Sequence, residues 1–555
     1  MKIKVSELIV RYMERLGIEH IFGMPGAHIL PVYDSLYDST IQSVLAKHEQ
    51  GASFMAGGYI RSSGKISACI ATAGPGATNL VTGVANAYAD KQPLLLITGE
   101  APTNIFGKGG LQESSGEGGS IDQVALFKGI TKYNRIIERT DYLAQVLNQA
   151  SKILLSPNSG PVLLSLPFNI QNEMVDADIL DKIKTDRHVY SIYEEAPAIS
   201  ELTELIRTSH NPVIIAGYGC IRSGAQDVIT RLSEEMNIPV TTSLKGKGVI
   251  SEQSDLSLGS LGVTSGGCAY KYIVEQSDLL IILGAGFNER TSYLWDEALM
   301  EGRKVVQIDN DHAQLEKVFN ADIALHGDIK EAITGVLRHI ENRGIKRVNN
   351  NTPQQRISDL RSSTNRDYAL FHSGFSLIES FFKKLEANFP NDAIVFDDNI
   401  IFAQNFFNVS SANRYYPNSG VSSLGHAIPA AIGSRFAESK PTFAILGDGG
   451  FQMCCMEIMT AVNYDKPLNV VVFNNATMGL IRKNQHQQYN QRYINCDFIN
   501  PDFAYLSKSF GINYKKVESE DDLDDLYREF DLGNSINLIE ILIDKDAFPN
   551  YSSKR

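Results

Sequence analysis

The sequence predicts an α/β protein of three Rossmann-like, doubly wound domains with mostly parallel sheets. Short continuous apolar runs ending in glycine or an acid recur along the chain, at residues 212–219, 278–284 and 442–447, as buried parallel strands read. Apolar periodicity lapses twice, in the charged stretch around 172–196 and in the Arg-, Asn-, Thr- and Ser-rich stretch around 341–367. The 555 residues, 43% hydrophobic, suffice for three or four cored units. The expected domains are therefore 1–172, 197–340 and 368–555.

In the central domain, the runs at 212–219 and 278–284 are strands closing on glycine, as a Rossmann-like unit requires. In the third, residues 442–446 form a buried strand, so Gly447-Asp448-Gly449-Gly450 falls at a sheet's carboxyl edge, where backbone can approach a ligand. Residues 452–464 have helical spacing, and 468–473 is a short β-rich run before Asn474-Asn475. A right-handed crossover returns Asn475 beside Asp448. A hard divalent cation at such an edge takes carboxylate and amide oxygens together with phosphate oxygens, so the pattern describes a metal-diphosphate site. Gly-Asp-Gly alone is common in structural turns; the downstream Asn-Asn makes the pattern specific.

This spacing resembles the cofactor motif of thiamine diphosphate-dependent enzymes. In that family the Asp, the second Asn and a backbone carbonyl two residues later hold Mg²⁺, which implies Asp448, Asn475 and Thr477 here. Gly447, Gly449, Gly450, Met478, Gly479 and Leu480 would then line the cofactor. The resemblance implies a second element, a glutamate from a separate domain against the cofactor's aminopyrimidine nitrogen. Glu49, in Lys47-His48-Glu49-Gln50-Gly51-Ala52, follows a short apolar run and starts a small-residue helix. In isolation it would read as a solvated first-turn acid, and the metal-diphosphate motif reverses that.

Further matches cover nearly the whole chain and resemble the acetolactate synthase-like branch, its large catalytic subunit in particular. Phe22-Gly23-Met24-Pro25-Gly26-Ala27 implies cofactor contacts at Pro25 and Gly26, and the stretch from Ile70 to Asn79 implies Thr72, Gly74 and Asn79. Leu111-Gln112-Glu113 implies Gln112 as a catalytic and substrate contact. The stretch from Val421 to Ala431 implies Leu424 as the wedge between the cofactor rings and the Ser422 carbonyl as acceptor for its exocyclic amine. His28, after the Pro-Gly-Ala turn, reads as a proton relay or as a hydrogen-bonded structural residue. His48 and His426 are expected to pack beside the cofactor. Lys108 and Arg482 read as carboxylate binders or as solvated bases.

Departures fall where substrates are chosen. In acetolactate synthases the central domain binds FAD beside an arginine-rich turn; the matching turn here runs from Gly284 to Arg290. Arg290 matches the arginine that selects the second substrate, whereas the earlier arginine is Gly286, which leaves FAD open. A substrate-selecting tryptophan is replaced by Asn484. Residues 114–120 look inserted after Gln112-Glu113, either admitting a different acceptor or forming a surface loop.

The resemblance implies decarboxylation of a 2-oxo acid, pyruvate foremost, with carboligation to a carbonyl acceptor. A nonoxidative decarboxylase or pyruvate oxidase-type enzyme is the alternative, and a noncatalytic cofactor-binding protein is disfavoured by Glu49. It also implies a homodimer or homotetramer with active sites between subunits. A net charge of −13 without a basic stripe argues against nucleic acid. The six cysteines lack metal-ligand spacing, and the N-terminus lacks a signal-type apolar core; with no bilayer-length apolar segment, a cytoplasmic location is expected. The acidic run 518–525 reads as a solvated helix face.

Overall fold

A computed structural model describes residues 1–186, 197–348, 352–367, 373–399 and 401–550. Part of each lapse in periodicity, at 187–196 and 349–351, lies outside these residues. The chain forms three six-stranded sheets in which every adjacent pair is parallel. A separate two-stranded ribbon pairs Lys2–Lys4 with Met174–Asp176. The core beside that ribbon extends to Leu180 and Ile183. The central strands Leu94–Glu100 and Leu279–Leu283 are buried throughout, which is why they read as unbroken apolar runs and not as alternating ones.

Each sheet reverses its strand order at an interior pair, and that reversal coincides with a motif. In the first sheet it lies between His20–Gly23 and Ser67–Ala71, whose carboxyl ends lead into Pro25-Gly26 and Thr72. In the second it lies between Pro212–Ala216 and Leu279–Leu283, leading into Gly217 and Gly284. In the third it lies between Ile394–Asp397 and Thr442–Gly447, leading into Asp398 and Asp448. Open parallel sheets bind ligands at such switch points, because the flanking loops diverge to opposite faces and leave a crevice.

The first and third sheets are joined by the helices Glu49–Ser63 and Ala427–Ala437, which cross at glycine. A Cβ on Gly58 would lie 1.9 Å from the Ala430 carbonyl oxygen, and one on Gly433 would lie 1.9 Å from that of Met55. The Ser62 and Ser434 hydroxyls meet at 2.7 Å in the same seam. Buried ion pairs add the central sheet, since Asp90 accepts from both Arg61 and Lys245.

One element differs from expectation. The helix predicted over 452–464 starts at Asp448 and breaks at Cys454, giving Asp448–Cys454, a turn Cys455–Glu457 and Ile458–Asn463. Gly447 is extended and Asp448 already occupies the first helical position, where a carboxylate is favoured by the helix dipole. The acidic run starts a helix, Glu520–Glu529, capped by Ser519, which buries Leu523 and Leu526 and leaves its acids toward solvent.

Candidate functional site

The crossover places Asn475 against Asp448. Asp448 is buried, with Oδ1 accepting from Gly449 N at 3.0 Å and Oδ2 from Asn475 N at 3.2 Å, Ala476 N at 2.6 Å and Asn500 Nδ2 at 2.8 Å. Burial pushes its carboxyl above the usual range, and these hydrogen bonds oppose the shift. Asn475 Oδ1 accepts from Thr477 N at 3.3 Å, which turns the chain so that Thr477 follows on the same edge. The left-handed Ala476, φ 52°, makes this turn.

The groove above this edge has a volume of about 310 Å³. It is lined by Leu424, Gly447, Asp448, Gly449, Gly450, Asn475, Thr477, Met478, Gly479 and Leu480, all anticipated from the sequence. Ser422 lies outside the lining, exposed and left-handed at φ 58°. The glycines have distinct reasons to be glycine. A Cβ on Gly449 would meet Met478 Sδ at 2.5 Å, whereas one on Gly447 would meet nothing within 4 Å. A carboxylate, an amide oxygen and a backbone carbonyl beside open space form the hard, all-oxygen set suited to a divalent cation. Among the described residues no group of three or more His, Cys, Asp and Glu could hold a metal, so a cation here would depend on these mixed donors and on ligand oxygens.

Sequence reasoning missed two residues of this edge. Asp398 follows the strand Ile394–Asp397 and lines the groove; its carboxylate takes His426 N at 2.9 Å and Ala427 N at 3.1 Å, starting the helix Ala427–Ala437. An acid ending an apolar run was a usable signal, the same one that marked Asp448. Asn500 donates to both Asp448 Oδ2 and Asn474 Oδ1. Nothing local to Asn500-Pro501 distinguishes it from an ordinary turn.

The second cluster lies at the switch point of the first sheet. Glu49 begins the helix Glu49–Ser63, and its Oε2 accepts from Asn79 Nδ2 at 3.0 Å. A Cβ on Gly26 would meet Thr72 Cβ at 2.5 Å, so the Pro25-Gly26 turn packs directly on Thr72, whose hydroxyl accepts from His28 N. Gly74 is left-handed at φ 61° with Gln112 over it, a Cβ there falling 3.2 Å from Gln112 Cβ. The buried Glu457 accepts from Lys47 N and His48 N and fixes the entry to Glu49; a Cβ on Gly51 would strike its Oε1 at 2.1 Å.

Family comparisons agree with this geometry domain by domain. Residues 3–126 match the thiamine pyrophosphate enzyme N-terminal TPP binding domain, 199–336 the central domain and 399–541 the C-terminal TPP binding domain. The chain belongs to the thiamine pyrophosphate enzyme family. It is 34% identical to the probable acetolactate synthase large subunit of Methanocaldococcus jannaschii, covering 98% of this chain and 93% of that protein. It is 33% identical to the acetolactate synthase large subunit of Lactococcus lactis, over 97% and 92%. With that of Corynebacterium glutamicum it shares 29%, over 98% and 87%.

Within this thiamine pyrophosphate enzyme the remaining candidates fall into place as follows. His48 Nδ1 accepts from Gln50 N as a helix cap. His426 is buried between Asp398, on its Nδ1, and Arg61, on its Nε2, and burial holds its pKa down, so it sits neutral in a structural network. His28 is buried, with Nδ1 lacking a hydrogen-bond partner among the described residues. Arg482 is engaged by Asp497 and Asp546 and stacks on Tyr493 at 3.8 Å, which leaves little of its charge for a ligand. Lys108 is exposed, donating to Asn104 O. Asn484 is half-buried on the helix Gly479–Gln488, and Arg290 is exposed; neither lines the groove.

The central switch point opens into a cavity of about 230 Å³ among Gly284, Gly286, Asn288, Asp309 and Lys317. A Cβ on Gly286 would meet Gln314 Oε1 at 2.7 Å, and the ion pair of Lys245 with Asp90 occupies the cavity wall. The segment 114–120 is not a loose loop: Ser115 bridges Asp122, and Glu113 accepts from Gly107 N, Gly110 N and Ser115 Oγ.

Proposed function

We propose that this protein is a thiamine diphosphate- and Mg²⁺-dependent enzyme that decarboxylates a 2-oxo acid, pyruvate foremost, and joins the remaining two-carbon unit to a carbonyl acceptor. The observation that carries it is the all-oxygen edge of Asp448, Asn475 and Thr477 above a glycine-lined groove at a switch point. Similarity to acetolactate synthase large subunits over nearly the full chain selects carboligation over simple decarboxylation.

When bound, the cofactor supplies the electron sink for loss of carbon dioxide. The residues do the rest. Asp448, the Asn475 amide oxygen and the Thr477 carbonyl would hold the cation, and Gly447, Gly449 and Gly479 would receive the diphosphate. Leu424, 37% exposed and facing the groove, would support the cofactor with Met478 and Leu480. The Ser422 carbonyl, outside the groove lining in this single chain, would accept from the exocyclic amine. Glu49, oriented by Asn79, would move a proton at the pyrimidine nitrogen, and Pro25, Gly26, Thr72 and Gly74 would wall that ring. Gln112, with His28 nearby, meets the substrate, and Arg290 and Asn484 are assigned to the acceptor end.

Every residue lining the Asp448 groove comes from 375–549, so Glu49 of the same chain is not among them. This supports a homodimer or homotetramer in which the Glu49 cluster of one copy closes the groove of another. Exposed Met453, Met456 and Ile499 beside the groove supply apolar surface for such a contact. Six free cysteines support a reducing, cytoplasmic setting, and no helix among the described residues is long and apolar enough to cross a membrane. The test is carbon dioxide release from pyruvate with thiamine diphosphate and Mg²⁺ added or withheld. Release that requires both supports the reading; release unaffected by either, or absent with both, overturns it.

A further inference from the structure

The strand Leu94–Glu100 ends in a carboxyl that no cation neutralises among the described residues. Glu100 is 0% exposed, and its Oε1 accepts from Ala101 N at 2.7 Å and Ser114 N at 2.9 Å. Its Oε2 is equally buried and has no hydrogen-bond partner among the described residues. Buried polar atoms without partners are rare, and a buried charge without a counter-ion is costly. Burial pushes this carboxyl up to about 6.

What Glu100 holds is a hub. Ser114 is 2% exposed and uses every polar atom: N donates to Glu100, Oγ accepts from Gly74 N at 2.9 Å and donates to Gln112 O at 3.0 Å, and O accepts from Gln123 N at 3.0 Å. Gly74 and Gln112 are thus fastened together through one serine. Gln112 needs fastening, because it is held left-handed at φ 54°, a conformation a non-glycine residue keeps only when its surroundings impose it.

We propose that Glu100 is a positioning residue for Gln112, its carboxyl anchoring the Ser114 hub that sets Gln112 over the Gly74 turn. The proposal rests on the carboligase reading for the role of Gln112, but not for the hub itself. One charged group bears on the titration of Glu100. Glu113, next to Ser114, adds negative charge; both its oxygens are occupied by Gly107 N, Gly110 N and Ser115 Oγ. Gln123, on the Thr98 side of the strand, is uncharged, and its Oε1 also lacks a partner. His28 packs on Gly99, on the opposite face. Opening the segment over Glu100 lets water reach the carboxyl, whose ionised form burial disfavours, so ionisation slackens the Ser114 cover and protonation tightens it.

The experiment compares wild type, Glu100→Gln and Glu100→Ala in two readouts. The first is hydrogen exchange of the peptide spanning 110–123, corrected for the intrinsic effect of pH. In wild type, protection rises as pH drops through about 6; Glu100→Gln, which keeps an acceptor but cannot titrate, removes that dependence; Glu100→Ala exposes the segment at all pH. The second is kcat/KM for pyruvate. The pH step near 6 is lost in Glu100→Gln with activity within about threefold, and Glu100→Ala costs at least about tenfold but adds nothing to Gln112→Ala. Unchanged exchange in Glu100→Ala, a pH step near 6 retained in Glu100→Gln, or additive Ala substitutions each overturn the proposal. Should Glu100→Ala fail to fold, the pH dependence of Glu100→Gln still decides. A wild type that turns over no 2-oxo acid overturns the carboligase reading, while exchange still judges the hub.

Discussion

Gly58→Ala tests the seam that carries both half-sites. A Cβ there would stand 1.9 Å from the Ala430 carbonyl oxygen, about 1.5 Å short of ordinary contact. The obstacle is backbone in the middle of the facing helix, so no side chain can rotate away, and the reciprocal contact of Gly433 on Met55 O blocks a slide along the same axis. The helices must separate. Overpacking costs about 1–3 kcal/mol where side chains can adjust, so this variant belongs at about 3 kcal/mol or beyond. At roughly 2–4 °C per kcal/mol for units of this size, the apparent thermal midpoint falls by about 6 °C or more. The same helix starts at Glu49, and displacement of a proton-moving group on this scale lowers turnover at least about tenfold. Gly57→Ala is the control, since its Cβ would meet only the end of the Gln92 side chain, at 2.8 Å. Calorimetry and pyruvate turnover of the two variants decide it. A Gly58→Ala midpoint within a degree or so of wild type would refute the seam as drawn.

Glu49→Gln keeps the fold, measured by circular dichroism and midpoint, and lowers turnover at least about tenfold; unchanged turnover removes Glu49 from its assigned role. Asn500→Ala deletes the donor to Asp448 Oδ2 and Asn474 Oδ1 and weakens Mn²⁺ binding about tenfold or more in spin-resonance titrations with thiamine diphosphate present. Burial raises the Glu100 carboxyl to about 6, so the folded state favours its protonated form. The stability this gives is fully present below a glutamate's ordinary value near roughly 4.3 and is lost as pH rises through about 6, amounting to about 1–2 kcal/mol after solvent screening. Glu100→Gln therefore gains on wild type between acid and neutral pH in urea unfolding; parallel pH profiles contradict the assignment.

The central switch point and the strand before Asp448 were legible because buried parallel strands are locally encoded: an unbroken apolar run stopped by glycine or an acid has few other readings. The pairing of Asp448 with Asn475 was legible for the same reason, since handedness leaves one place for the second strand to return. The rest depends on contacts between distant segments. Asn500 reaches Asp448 from 52 positions away, and Glu457 reaches His48 from 409. Asp398 carried a usable sign in its own strand end. Arg482 read either as a carboxylate ligand or as a solvated base, and its partners are the carboxylates of Asp497 and Asp546 of its own chain. Glu100 drew no reading from the sequence, because nothing in residues 94–100 tells that a segment more than ten positions on folds back over it.

The central claim is a new carbon-carbon bond, and the most direct measurement is mass spectrometry of products from isotopically labelled pyruvate with thiamine diphosphate, Mg²⁺ and a set of oxo-acid and aldehyde acceptors. Carboligation predicts an adduct that carries label from both a donor and an acceptor, and that is lost in Asp448→Ala. Labelled acetaldehyde or acetate as the sole product would contradict it.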